Sequence, residues 1–257
     1  MLRIGLIQNT LKIQRTQDSL FRLSLFDWYP LRSLCEIMKH LIQLTNDGSN
    51  TLAIPSLGIT YHSTAGAIGE SLHVFIDAGL KHISTTQNLK EIGIFEMGFG
   101  TGLNALLTWQ FAQLQQLKIK YTSIELFPLE FEETAELNYG KQLQMPKQFM
   151  QLHQLNWEEA IVIDGNFTFY KTNQSLIDFL TDQQYNLIYY DAFAPNNQPE
   201  LWSKNIFEKL YNMLLPKGIL VTYCSKGDVK RTLKAVGFTV ERLHGFADKW
   251  HMLRATK

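Results

Sequence analysis

The sequence is poor in cysteine and has no excess of charge of either sign. Its two cysteines, Cys35 and Cys224, belong to no CxxC pair or Cys/His cluster, so neither a zinc site nor a disulfide framework is expected. Lys and Arg total 24, as do Asp and Glu. This balance excludes the global positive field typical of nucleic-acid and membrane-surface proteins, so any such contact must depend on a local patch.

Long apolar runs are also missing. No uninterrupted stretch approaches the roughly 18 to 20 residues that cross a bilayer, and the chain after Met1 lacks the apolar run of a secretory signal. We therefore expect a soluble, cytoplasmic protein without a membrane partner. The chain does have 257 residues, 45 % of them hydrophobic, which is enough for one large core.

The residue pattern divides the chain into three parts. Residues 1–37 have apolar content without a helical or strand period. We hypothesise that Met38 is the natural start, and the alternative is a short accessory helix. Residues 38–85 form a small N-terminal layer, with a β-hairpin over 51–61 and a helix over 66–78. Residues 86–257 form the main domain.

Strands and helices alternate in the main domain, which predicts an α/β fold with a mostly parallel, seven-stranded sheet between helices. The predicted strands are 92–96, 120–125, 167–170, 186–190, 218–223, 238–243 and 251–255. The predicted helices are 103–116, 130–137, 174–180, 199–214 and 229–235, with an insertion around 153–159. No helix separates the last two strands, so we expect them to be antiparallel to each other.

A glycine-rich loop follows the first strand of this domain. The strand ends at Glu96, and Gly98, Gly100 and Gly102 then lead into an apolar helix. This arrangement is typical of a ligand-binding crevice at the carboxyl end of a strand, although a tight structural turn is an alternative. The dinucleotide fingerprint would require glycine in place of Leu103, so the pattern disfavours a nicotinamide cofactor.

Two acids favour S-adenosylmethionine (SAM) as the ligand. Glu125 ends the second strand, where a carboxylate accepts hydrogen bonds from ribose hydroxyls, unless it is a plain surface acid. SAM carries a positive sulfonium and no phosphate. Glu96, directly before the glycines, therefore suits SAM better than a pyrophosphate.

Asp191 and Phe193 follow the strand predicted to lie beside the first one, at the topological switch point. Methyl transfer is an in-line displacement, so its catalysis depends on holding the acceptor close to the methyl carbon. An amine acceptor must lose a proton, and Asp191 is the candidate group to hold the amine and assist that loss. The alternatives are that Asp191 caps a turn and that Phe193 packs in the core instead of stacking on a base.

Further motifs accompany the glycine loop and Asp191. They are His62-Ser63, Gly66-Ala67-Ile68, Glu70-Ser71, His73-Val74-Phe75, Glu96 to Asn104, Asp191 to Pro195, Gln198 to Trp202, Thr222-Tyr223, Gly237-Phe238, Gly245-Phe246, Lys249 and Met252. Together they resemble the methyltransferase module of the MnmC family of tRNA-modifying enzymes, in the stand-alone form also called MnmD. The resemblance covers about residue 39 to the C-terminus and implies a Rossmann-like class I SAM-dependent methyltransferase fold.

The resemblance implies methylation of the exocyclic amine of 5-aminomethyl-(2-thio)uridine at the tRNA wobble position, giving the 5-methylaminomethyl product. The expected partners are tRNA and a separate upstream modification enzyme. Because no second glycine fingerprint is present, we expect no FAD and no oxidase activity, and we expect no metal. Two alternatives stay open: a SAM-dependent N-methyltransferase of another RNA base or small amine, and a catalytically silent Rossmann module that binds RNA or a partner.

These interpretations give two sets of candidate residues, with Asp191 and Phe193 as the catalytic pair. The cofactor set is Glu96, Gly98, Gly100, Thr101, Gly102, Asn104, Glu125 and Asp191. The substrate set is Tyr61, His62, Glu70, Phe193, Pro195 and Lys249, while we expect His73 in the core. The region 170–173 lacks the Gly-Asp common in the family, so the adenine contacts have no assignment.

A local basic patch is the candidate contact with tRNA phosphates. From Lys226 to Lys257 there are eight basic residues against three acidic ones. A solvated helix surface is the alternative explanation for the helical members of the patch. The basic residues are Lys226, Lys230, Arg231, Lys234, Arg242, Lys249, Arg254 and Lys257.

Overall fold

The computed structural model describes residues 39–257, so the hypotheses about residues 1–37 and Met38 lie outside the described residues. The described chain begins with a small antiparallel sheet of β1 (Leu41–Leu44), β2 (Asn50–Ile54) and β3 (Ile59–Thr60). Strands β2 and β3 form the hairpin that the sequence predicts over 51–61. Strand β1 is an addition to that prediction.

A continuous helical run follows this sheet. It consists of α1 (Ala67–Ser71), a π-helical stretch (Leu72–Lys81) and α2 (His82–Thr86), and is therefore longer than the predicted helix 66–78. Its apolar face packs on the main sheet, where the rings of Phe75 and Tyr189 lie 5.3 Å apart. Gly79 permits this approach, because a Cβ there would lie 3.1 Å from the side chain of Val221.

The main sheet has eight strands in the order β10-β11-β9-β8-β4-β5-β7-β6. Strands β9, β8, β4, β5 and β7 are parallel, whereas β11 is antiparallel to both of its neighbours and β6 is antiparallel to β7. The strands are β4 (Glu91–Met97), β5 (Lys118–Ile124), β6 (Ile161–Asp164), β7 (Phe167–Thr172), β8 (Tyr185–Tyr190), β9 (Leu214–Thr222), β10 (Thr239–His244) and β11 (His251–Thr256).

Helices cover both faces of this sheet, which explains why its central strands are nearly continuous apolar runs. Tyr189 packs in the core on one face, and the next residue, Tyr190, packs in the core on the other. The remaining helices are α3 (Leu103–Gln115), α4 (Phe131–Ala135), α5 (Tyr139–Gln142), α6 (Pro146–Gln154), a 3₁₀ helix (Pro199–Trp202), α7 (Lys204–Met213) and α8 (Gly227–Val236).

The α/β fold class, the mostly parallel sheet and the antiparallel closing strands are confirmed. The sheet has one strand more than the seven predicted, because β6 was not recognised beside the insertion. The predicted helix 174–180 is wrong: this segment is a turn in which Ser175 O accepts from Phe179 N, at 2.8 Å. Ser175 Oγ also accepts from Ile177 N, a local bond that competes with helix formation. The predicted helix 199–214 is divided at Ser203, which is extended.

The switch point of the sheet lies between β4 and β8. After β4 the chain builds outward through β5 and β7, and it then returns to build the other half from β8. In open α/β sheets the carboxyl ends of strands at such a point form a ligand crevice. Over residues 39–257, no helix combines the length and apolar character required to span a membrane.

Candidate active site

The loop between β4 and α3 brings the glycines to the switch point. Gly98 has φ of 93° and Gly100 has φ of 47°, values that residues with a side chain rarely adopt. A Cβ on Gly98 would lie 3.0 Å from the carbonyl oxygen of Asp191, and one on Gly100 would lie 3.2 Å from the ring of Tyr61. The glycines therefore let the loop approach both the end of β8 and the N-terminal layer.

Glu125 lies directly after β5 and faces this loop. Its Oε2 accepts a hydrogen bond from Gly100 N and its Oε1 accepts one from Phe127 N, both at 3.0 Å. Burial raises the pKa of Glu125 above its usual value. The carboxylate is thus fixed at the edge of the crevice, where the sequence places a ribose-binding acid.

Asp191 lies directly after β8, on the opposite side of the loop. Asn104, in the first turn of α3, donates from Nδ2 to Asp191 Oδ2 at 2.9 Å. Burial raises the pKa of Asp191 to about 7, and the nearby carboxylate of Glu70 acts in the same direction. The half-buried carboxyl group can therefore exist in either protonation state near neutral pH.

Two cavities meet at Asp191. The first has a volume of about 510 Å³ and is lined by the glycine loop, Asn104 and Glu125. The second has a volume of about 810 Å³ and is lined by Glu70, Lys249 and residues around β3. Both volumes include space open to solvent, and five residues line both cavities: Tyr61, His62, Asp191, Ala192 and Phe193.

We call the first space the loop cavity and the second the outer cavity. In the outer cavity Glu70 Oε2 accepts from Ser63 N at 2.8 Å, while Oε1 forms an ion pair with Lys249. Lys249 Nζ also lies 4.8 Å from the ring centre of Tyr223. Together with Asp191, the outer cavity therefore holds two carboxyl groups and one ammonium group.

The shared wall is held by hydrogen bonds and ring contacts. His62 Nε2 lies 2.7 Å from Thr101 Oγ1, and burial lowers the pKa of His62 to about 4, so the ring is neutral at pH 7. The rings of Tyr61 and Phe193 meet edge to face with centroids 5.2 Å apart. The wall is thus a packed, mostly uncharged surface in which Asp191 is the acid.

Three further residues, none of them among the candidate site residues, support this wall. His40 Nε2 lies 3.2 Å from the hydroxyl of Tyr61, and His40 Nδ1 lies 2.5 Å from Glu133 Oε1 in α4. Gln198 Oε1 accepts from Phe193 N at 3.0 Å. His40 and Glu133 carry no sequence signal, because their contact joins segments that are distant in the chain. Gln198 belongs to the motif Gln198 to Trp202 of the family resemblance, which could have indicated it.

Some predicted site residues do not line either cavity. Glu96 is fully buried beneath the loop, where its Oε2 accepts from Ser123 Oγ at 2.6 Å and burial raises its pKa to about 8. Gly102 packs against His153 behind the loop, and Pro195 lies in the loop after β8 without lining either cavity. Direct ligand contacts of these three residues stay predictions.

Glycines Gly98 and Gly100, together with Thr101, Asn104 and Glu125, line the loop cavity. His73, expected in the core, is instead half-buried, with Nε2 at 2.8 Å from the carbonyl of His244. Over residues 39–257, His, Cys, Asp and Glu side chains form no group of three or more that could hold a metal ion.

Comparison with known proteins bears on the family and on the fold. A family model described as S-adenosyl-L-methionine-dependent methyltransferase matches residues 131–257. The chain is 33 % identical over 215 residues to the tRNA 5-methylaminomethyl-2-thiouridine biosynthesis bifunctional protein MnmC of Cupriavidus necator, covering 79 % of this chain and 32 % of that protein. It is 32 % identical over 230 residues to the MnmC of Ectopseudomonas mendocina, covering 83 % of this chain and 34 % of that protein.

The chain therefore spans about a third of the length of these curated relatives. Among solved structures, MNMC2 from Aquifex aeolicus superposes with a TM-score of 0.70 at 22 % identity, covering 98 % of this chain and 81 % of that one. This likeness shows the fold. The chain belongs to the S-adenosyl-L-methionine-dependent methyltransferases, and its methyltransferase domain is MnmC-like.

Proposed function

We propose that the protein transfers a methyl group from SAM to the exocyclic amine of 5-aminomethyl-(2-thio)uridine at the wobble position of tRNA, giving 5-methylaminomethyl-(2-thio)uridine. The observation that carries this proposal is the pair of cavities with Asp191 in their common wall. The names of the relatives, which refer to 5-methylaminomethyl-2-thiouridine biosynthesis in tRNA, support this choice of acceptor.

The loop cavity fits SAM. Its glycines leave room at the carboxyl end of β4, and Glu125 offers carboxylate oxygens at the edge where ribose hydroxyls can donate. SAM, when bound, supplies an electrophilic methyl group on a positively charged sulfur. The raised pKa of Asp191 reflects burial near another carboxylate, so a cation placed between the two cavities would favour its ionised form.

The outer cavity fits an amine acceptor. An alkylammonium has a pKa near 10 and no lone pair for attack, so the amine must lose a proton before or during methyl transfer. Asp191 reaches the outer cavity with a pKa of about 7, which suits a group that accepts a proton near neutral pH. Glu70, ion-paired with Lys249, is a second carboxylate in this cavity, and Phe193 offers a ring on which the base can stack.

The tRNA would contact the basic patch of the C-terminal segment. Lys226 and Arg242 are exposed, and Lys226 Nζ reaches Asn196 Oδ1 at 2.8 Å in the loop after β8. This places positive charge next to the loop that lines the outer cavity. We also propose that the protein works in the cytoplasm on tRNA prepared by a separate upstream enzyme, without FAD or metal of its own.

The test is nucleoside mass spectrometry of tRNA bearing 5-aminomethyluridine after incubation with the protein and SAM. The expected result is the gain of one methyl group on that nucleoside. The same tRNA with an unmodified wobble uridine is the matched control, and it should gain none. If the aminomethyl nucleoside gains no methyl group, the proposal is wrong.

The same digest distinguishes the other two functions. A methyl group on a different base, or on a free small amine added to the reaction, would indicate an N-methyltransferase with another acceptor. Absence of SAM binding by calorimetry, with the protein folded, would indicate a catalytically silent module.

A further inference from the structure

The turn between β10 and β11 carries an exposed indole. Trp250 is 85 % exposed, whereas tryptophan is usually buried over most of its surface. Over residues 39–257, the structure records no ring contact or hydrogen bond of the Trp250 side chain with another residue. The largest side chain of this turn is therefore presented to solvent.

The turn that carries Trp250 is anchored to the rest of the protein by other residues. The ring of Phe246 packs so closely on α1 that a Cβ added to Gly69 would lie 2.6 Å from a ring carbon. Lys249 forms its ion pair with the buried Glu70, and Gly245 N donates to Trp250 O at 3.3 Å. The backbone of Trp250 is thus held in place while its indole projects outward.

The residue that precedes Trp250 belongs to the proposed binding site of the acceptor. This residue, Lys249, lines the outer cavity. The preceding strand carries exposed Arg242 near Lys230 of α8, where desolvation first, and then the charges of Arg242 and Lys234, lower the pKa of Lys230. An exposed flat ring on the residue that follows Lys249, on a hairpin that also carries positive charge, matches the features by which proteins bind single-stranded nucleic acid.

We propose that Trp250 is a stacking platform for a nucleobase that flanks the target nucleotide in a single-stranded loop of RNA. This inference rests on the proposed function, since it assumes that the acceptor amine enters the outer cavity on an RNA. The anchored turn keeps the backbone of Trp250 in a fixed position, so only the side-chain rotations of Trp250 are lost when a base stacks on it. Trp250 is a binding residue in this account and takes no part in the methyl transfer.

The neighbours of the indole favour RNA over a second copy of the protein. The residues next to Trp250 in the turn and on the facing strand are charged or polar: Asp248, Lys249, His251 and His244. Protein interfaces that exclude water are typically depleted of charge around their central aromatic residues. A self-association through Trp250 is therefore the competing outcome that the experiment must detect.

The experiment compares Trp250→Leu, which keeps an apolar side chain, with Trp250→Tyr, which keeps an aromatic ring. Steady-state kinetics are measured with aminomethyl tRNA. Trp250→Leu should raise the KM for tRNA about tenfold while kcat and the Kd for SAM stay within about twofold, and Trp250→Tyr should recover most of the affinity. The matched control is Leu180→Ala, because Leu180 is also 85 % exposed, and it should leave the KM for tRNA unchanged.

Two results would overturn the inference: a KM for tRNA in Trp250→Leu equal to that of the unaltered protein, or no recovery in Trp250→Tyr. Sedimentation that shows a dimer lost in Trp250→Leu would assign the indole to self-association and would equally overturn it. If the unaltered protein shows no turnover, the proposed function fails. The inference is then decided by tryptophan fluorescence with an unmodified anticodon stem-loop RNA, where quenching absent from Trp250→Tyr supports it and identical quenching contradicts it.

Discussion

At the scale of single residues, Asp191 is the group that connects the two cavities. Burial and the proximity of Glu70 raise its pKa to about 7, and Asn104 holds one of its oxygens. An ordinary aspartate is fully ionised at neutral pH and is a weak base. The environment of Asp191 therefore makes it a stronger proton acceptor than an exposed aspartate, which suits the deprotonation of an amine.

The pH dependence of kcat/KM tests this role. Because the pKa of Asp191 is raised, the group is protonated below about pH 7 and ionised above it, and only the ionised form can accept a proton. We expect kcat/KM for aminomethyl tRNA to rise with pH on the acid side with a midpoint at or below about 7, because the positive charge of bound SAM favours the ionised form. In Asp191→Asn the residual activity should no longer rise with pH over this range. A rise with the same midpoint in Asp191→Asn would show that another group titrates.

The positions of Asp191 and Glu125 could be predicted from the sequence, because each directly follows a parallel strand that lies beside β4. The environment of Glu96 could not be predicted from the sequence. Its position before the glycines suggested a charge facing the ligand, but the alternation of side chains along β4 turns it inward beneath the loop. Because β4 is buried on both faces, its sequence has no regular alternation of polar and apolar residues. The sequence therefore does not show which side chains face the ligand crevice and which face the core.

At the scale of secondary-structure elements, the loop between β4 and α3 determines whether the loop cavity can accept a ligand. Gly98→Ala introduces a Cβ 3.0 Å from the carbonyl of Asp191 at a φ of 93°. Strain at such a position costs about 1–3 kcal/mol, and relief of that strain should displace the loop. We expect the Kd for SAM to rise about tenfold, measured by isothermal titration calorimetry.

The matched control for this variant is Gly58→Ala in the turn between β2 and β3. Gly58 also has a positive φ, of 64°, but a Cβ there meets nothing within 4 Å. This variant should lose thermal stability through backbone strain and still bind SAM with unchanged affinity. Equal losses of SAM affinity in both variants would show that strain anywhere in the protein, and not the shape of the loop, controls binding.

A buried lysine stabilises the end of helix α6. Lys171 is 1 % exposed, and its Nζ donates to the carbonyls of Leu152 at 2.9 Å and His153 at 2.8 Å. Lys171 Nζ also lies 4.6 Å from the ring centre of Trp157. Burial lowers the pKa of Lys171 to about 8, so the side chain is still mostly protonated at neutral pH and can donate to both carbonyls.

Lys171→Met leaves two carbonyls at the end of α6 without this donor. We expect the free energy of unfolding in urea at pH 7 to fall by about 2 kcal/mol, because each buried carbonyl that loses its partner costs about 1–3 kcal/mol and the methionine recovers part of this through apolar packing. Lys147→Met, at an exposed position of the same helix, should change it by less than about 0.5 kcal/mol. Equal effects of the two substitutions would contradict the capping role.

The elements themselves were predictable where an apolar run ends at glycine or at an acidic residue, as in β4 and β8. Two errors have physical reasons. The segment 174–180 contains apolar residues at helical spacing, but Ser175 bonds locally and Leu176 and Phe179 are buried by a turn. Strand β6 pairs only with β7 and has a register shift, so its short sequence carries little alternation that could have identified it.

At the scale of the whole molecule, the N-terminal layer and the main sheet together form the candidate site. Tyr61 and His62 follow β3, whereas Asp191 and Phe193 follow β8, and all four line both cavities. Sequence motifs predicted these four residues as site residues. The motifs did not indicate that the residues lie in a wall shared by two cavities. The contact between His40 and Glu133 joins residues that are 93 positions apart in the chain. Local sequence patterns do not predict contacts over such a distance.

The most direct test of the account compares the unaltered protein with Asp191→Asn in a single-turnover reaction with saturating SAM and aminomethyl tRNA. Saturating SAM fills the loop cavity in both proteins, so a difference in their Kd for SAM does not affect the comparison. The account predicts that the rate of methyl appearance on the 5-aminomethyl nucleoside is at least about tenfold lower in Asp191→Asn, because the proton acceptor between the cavities is lost. Equal rates in the two proteins would contradict the account.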